Sequence, residues 1–121
     1  MAEGFSTAAA NAVLDTQGTT YPWIKLHVGA PGAAGTANAA TETTRKQATW
    51  GSASGASMTT TADLVWTGVA GSEDFTHYSE WSASSGGTFG GSGVITANAV
   101  TSGDTFTIPA GSLVQTIPVA S

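Results

Sequence analysis

Short stretches of alternating apolar and polar residues recur along the chain, separated by runs of Gly, Ser, Pro and Asn. Between Thr20 and Val28, Ile24, Leu26 and Val28 share one side of an extended strand, and Trp23, Lys25 and His27 share the other. Pro22 suits the start of such a strand or a sheet edge. Residues 45–50 fit a second, short strand. Residues 59–69 read as a third, with Leu64 and Trp66 opposed to Val65, Thr67 and Val69. Over 75–81, Phe75, His77, Ser79 and Trp81 alternate with Thr76, Tyr78 and Glu80. The turn Ser84-Ser85-Gly86-Gly87 sends the chain back into a strand over 88–95, thinned by Gly90, Gly91 and Gly93. Residues 104–108 and 113–119 complete the series, with the tight turn Pro109-Ala110-Gly111 between them. About seven short strands with turn signals between them predict a mainly β fold, an antiparallel β-sandwich.

One segment has the helical period. Residues 5–17 are rich in Ala, and Ala9, Ala10, Val13 and Leu14 form a narrow apolar stripe. Ser6 is placed to N-cap this helix, Phe5 to fold back onto Ala10, and Gly18 to end it. A helix this short needs something to lean on. Residues 29–44 show no periodicity and predict a long loop, a common location for function. Ordering such a loop costs roughly 1–2 kcal/mol per residue of backbone entropy. Its order is therefore expected to come from contacts with itself or with a neighbour. The length, 121 residues, predicts a single domain over 1–121 with a core of its own.

Composition narrows the function classes. Ala, Thr, Gly and Ser make up 70 of the 121 residues, and charged residues only 9%. A surface with so little charge suits a subunit whose faces are buried against neighbours, because charge is costly to desolvate. A GC-rich genome produces the same bias. The net charge of −5, with Lys25, Arg45 and Lys46 the only cations, argues against nucleic acid and against an anionic membrane surface. No apolar run reaches the ~18 residues that span a bilayer, and Met1-Ala2-Glu3-Gly4 has no signal-peptide character. Synthesis and retention in the cytosol are the expectation, with export only as part of a particle.

The candidate chemistry is sparse. There is no cysteine. His27 and His77 lack the three or four converging ligands of a metal site. Glu73, Asp74 and Glu80 are weighed as a glycosidase-like carboxylate pair, and read better as a solvated turn and a strand-face carboxylate. No G-x-S-x-G elbow occurs, and the run from Gly86 to Gly91 lacks the Lys and helix of a phosphate loop. No cofactor and no catalysis are expected. Four tryptophans, Trp23, Trp50, Trp66 and Trp81, are either core or contact anchors, and Trp23 is the one expected to be exposed.

Several segments, taken in order, resemble the small minor tail or tail-fibre-like virion proteins of tailed bacteriophages, a family common in phages of actinobacteria. They are the Ala-rich start ending at Leu14-Asp15, the run from Ile24 to Asn38, Thr44-Arg45-Lys46-Gln47-Ala48, Thr76 to Trp81, Gly86-Gly87-Thr88-Phe89, and Gly103 to Gly111. Ala30 and Ala39 stand where relatives carry an acid. The resemblance implies a structural virion protein, a minor tail component, with a capsid decoration protein as the alternative. A carbohydrate-binding module using Trp23 and the 29–44 loop is the reading from another class, with a host glycan as ligand. Other phage structural proteins and further copies of the chain are the expected partners. The interface is expected at Trp23, with Phe5, Val13 and Leu14 of the helix and Pro31 and Asn38 of the loop.

Overall fold

The computed structural model describes residues 3–120, with backbone alone at Ala97 and Asn98. The predicted domain limits include Met1, Ala2 and Ser121, which lie outside the described residues. The chain opens with α1 (Thr7–Thr20). Ser6 caps it, its hydroxyl accepting from the Ala9 N–H at 3.1 Å. Phe5, expected to fold back onto Ala10, pairs its backbone with Val119 instead and leaves its ring 52% exposed. The helix passes through Gly18, its expected stop. A Cβ at Gly18 would sit 3.1 Å from the Trp50 ring, so glycine here admits a tryptophan rather than ending the helix. The helix ends at Tyr21, just before Pro22, where proline disfavours the helical conformation of the residue preceding it.

Eight strands follow: β1 (Trp23–His27), β2 (Lys46–Gln47), β3 (Ser57–Thr59), β4 (Leu64–Trp66), β5 (Glu73–Trp81), β6 (Phe89–Val100), β7 (Phe106–Ile108) and β8 (Val114–Thr116). All pairings between them are antiparallel. One layer is a four-stranded sheet in the order β2-β1-β5-β6, and the other holds the pairs β3-β8 and β4-β7. The predicted strand over 59–69 is two strands, because the chain changes partner between them. The N–H of Gly111 bonds the Thr60 carbonyl, and that of Ala110 bonds the Asp63 carboxylate, so residues 60–63 turn a corner alongside residues 109–111.

The core lies between the layers. Ile24, Leu26 and Tyr78 of the sheet pack with Leu64, Trp66, Phe106 and Ile108 of the second layer. The Phe106 ring stands 4.8 Å from Phe75 and 5.9 Å from Trp66, centroid to centroid, in tilted contact. The other face of the sheet, carrying Trp23, Lys25 and His27, is roofed by residues 29–40. The Val28 N–H bonds the Asn38 carbonyl, and the Ala40 N–H bonds that of Leu26. Gly35, at φ 75°, sits under Phe89, where a Cβ would come within 2.3 Å of the ring. Farther along, the Glu73 carboxylate accepts from the N–H groups of Thr41 and Glu42, and Glu42 from those of Thr44 and Ala70. The 29–44 segment is thus ordered by contacts within its own chain, through backbone bonds and two carboxylates.

Candidate functional site

Beneath the roof lies a row of buried polar groups. His27 and Ser79 are fully buried and Trp81 is 8% exposed. His27 Nδ1 is 2.9 Å from the Ala37 carbonyl, its Nε2 is 2.7 Å from Ser79 Oγ, and Trp81 Nε1 donates to the same Oγ at 2.7 Å. A carbonyl only accepts, so Nδ1 carries the ring proton and Nε2 accepts from the serine hydroxyl. The row then runs in one direction, from the Trp81 indole through Ser79 and His27 to Ala37. Burial lowers the His27 pKa, against the pull of the Ala37 carbonyl, and keeps the ring neutral. A hydroxyl bonded to an imidazole is also the arrangement of an activated nucleophile. Here the hydroxyl is fully buried, and the third member is a carbonyl rather than an acid.

His77 faces His27 across the strand pair and bonds Thr76 Oγ1 at 2.9 Å. Among the described residues, no three His, Asp or Glu side chains gather as a metal site would need. Arg45 lies 4.4 Å above the Trp81 ring and donates to the carbonyls of Ala83 at 2.9 Å and Gly86 at 2.7 Å. One of the chain's three cations therefore pins the 82–88 turn to the sheet.

On the core side of the sheet, a cleft of about 560 Å³ opens between α1, β6 and β8, with Val13, Tyr78, Val94 and Val114 in its lining. Beside it lies Glu80, fully buried. Gln17 of α1 donates to one carboxylate oxygen at 3.2 Å, and Gln115 of β8 donates to the other. Burial pushes the Glu80 pKa up to about 7, opposed by the Gln17 bond. Burial likewise raises that of Tyr78, with the Glu80 charge adding to it. Glu80 sits on a strand face, where the second layer and the helix close over it. Glu73 is a loop clip rather than half of an acid pair, and Asp74 is exposed.

The six expected interface residues fall into two groups. Phe5 and Val13 are 52% and 45% exposed on the helix side, where Leu14 is buried at 3%. Trp23 is half-buried on the roofed face, beside Trp81 and Gln47 across the strands. Pro31 is buried in the roof. Asn38 is exposed, at φ 52°, with its amide donating to the Ala30 carbonyl at 2.9 Å. The sequence reading did not single out Val94 and Val114, which are 72% and 52% exposed at the cleft. The only local signal was Val94 itself, an apolar residue in a glycine-rich strand.

No helix among the described residues is long and apolar enough to cross a membrane. No curated protein matches the chain. A family model described as "Podophage GP4 fiber I protein gp80" matches residues 4–116, which takes in α1, both layers, the roof and the cleft. The chain belongs to this family of phage fibre proteins, and is a structural component of a bacteriophage virion.

Proposed function

We propose that the protein is a non-catalytic subunit of a tailed-phage virion, a minor tail component that folds as one domain and docks on other virion proteins and on copies of itself. The family match across residues 4–116 carries this reading. The site chemistry supports it. The polar groups that resemble catalytic machinery, Ser79 with His27 and the carboxyls of Glu73 and Glu80, are spent on holding the loop, the helix and β8 in place. A composition rich in Ala, Gly and Thr fits a GC-rich actinobacterial host. Synthesis would be in the host cytoplasm, before incorporation into particles. Trp23, with Phe5 and Val13, supplies half-exposed apolar anchors of the kind that dominate protein interfaces.

The test is Trp23→Ala in the phage, with antibody labelling of particles and counting of copies. The expected outcome is weaker incorporation of a chain that still folds, with label on the tail and a few to tens of copies. Label spread over the head at hundreds of copies would make it a decoration protein. Binding of a host glycan by the isolated chain, lost on Trp23→Ala, would favour the carbohydrate-binding reading.

A further inference from the structure

We propose that the outer edge of β6 pairs with the same edge of a second copy, joining two four-stranded sheets into one about a twofold axis. The inference concerns how copies meet, and is independent of where on the particle they sit.

β6 is the last strand of its sheet, paired only with β5. The register tells which of its backbone groups face outward. The Ala48 N–H bonds Pro22 and the Ala40 N–H bonds Leu26, so even-numbered residues of β1 bond toward β2 and the roof. Odd-numbered residues of β1 therefore bond β5 at His77, Ser79 and Trp81, and β5 meets β6 through Tyr78 and Glu80. Their partners Gly91 and Gly93 are satisfied, and the backbone groups of Ser92 and Val94 point away from the sheet. Gly90 has the same outward parity, and its carbonyl is taken by the Gln17 amide at 2.9 Å. The helix thus closes the edge at Gly90 and leaves it open at Ser92 and Val94, which line the cleft.

The open edge has neither of the charge and proline devices that keep such strands apart, and its register with β5 is regular from Gly91 to Val94 and shifts beyond. It belongs to a strand of 12 residues with no charge and no proline. Val94, 72% exposed, stands on the face of its cross-strand partner His77, while its backbone, with Val13 and Val114, lines the cleft. β8 also lines the cleft, but at three residues it is too short to template a strand. The occupant that fits is an extended, uncharged, β-branched segment. In this chain that description is met by β6 itself, with Val94, Ile95 and Thr96 in sequence. Two such edges meet antiparallel without placing like charges opposite each other, although each chain carries a net −5. One edge paired with itself is isologous and closes at two.

Sedimentation of the full chain tests this. The wild type is expected to run as a dimer, and Val94→Lys as a monomer with an unchanged circular dichroism spectrum. Val65→Lys, at a 39% exposed position on β4, is expected to leave the dimer intact. The chain has no cysteine, so single cysteines at Ser92, Val94 and Thr96 provide a second reading that does not depend on the lysine variant folding. At least one should form an interchain disulfide under oxidation, and Val65→Cys should not. A monomeric wild type, a trimer, or a dimer that survives Val94→Lys and does not cross-link through β6 overturns the proposal. So does a β6 edge filled only by an extended segment of a different virion protein.

Discussion

On one side of the four-stranded sheet, residues 29–40 roof over His27, Ser79 and Trp81, and on the other α1 and β8 close over Glu80 beside an open cleft. The roofed row is neutral, and each bond has one donor and one acceptor, so its polar atoms are buried with partners in place. The cleft side holds an ionisable carboxyl between two amides from different elements. The first arrangement fixes a loop to a sheet at every pH where the histidine stays neutral. The second makes the seating of α1 and β8 depend on one proton. The contrast separates a face finished within the chain from one left adjustable and open.

The largest expected effect comes from breaking the roofed side. Trp81→Ala removes a nearly buried ring that packs on Phe89 at 5.5 Å, stacks under Arg45 and donates to Ser79. A loss of about 3–5 kcal/mol is expected, read as a lower urea midpoint at unchanged slope. A change near zero would mean that the roof does not depend on the ring.

Next comes the pH dependence of the cleft side. Glu80 titrates near 7 in the fold, against 4.5 when free. Between those values the folded chain holds a proton that the unfolded chain has lost. Stability from this group is therefore full at low pH, falls as pH rises through the window, and levels off above it. At roughly 1.4 kcal/mol per unit the total is about 3 kcal/mol. Glu80→Gln should flatten that fall. Parallel stability curves for the two proteins from pH 4 to 8 would contradict the assignment.

Ser79→Ala sharpens the contrast at lower cost. It leaves the Trp81 N–H and His27 Nε2 without their shared partner, and about 1–3 kcal/mol should be lost. Because burial lowers the His27 pKa and the row is neutral above the ordinary histidine range, the loss should be the same at pH 7 and pH 8.

The sequence carried much of the fold. The alternation in residues 23–28 placed Ile24 and Leu26 in the core, and Ser6 capped the helix as expected. What it could not show was set by residues far apart in the chain. His27 is buried because the Ala37 carbonyl and Ser79 close on it from two directions. Glu80 is buried because Gln17 and Gln115 bring a helix and a strand over it. Gly18 carries a local stop signal that the packing of Trp50 overrides. Strand alternation cannot tell a face open to water from one roofed by a distant loop, which is why the face of Trp23 read as exposed and is half-buried.

The absence of charge along β6 has a kinetic meaning. Exposed ion pairs weaken as salt screens them over a Debye length of about 8–10 Å, and opposite fields accelerate encounter. An uncharged edge has neither property. Contacts made there would hold over a wide range of ionic strength, and would form at unsteered rates on the order of 10⁵–10⁶ per molar per second. Assembly through such an edge is governed by how many copies are made close together, not by attraction at a distance.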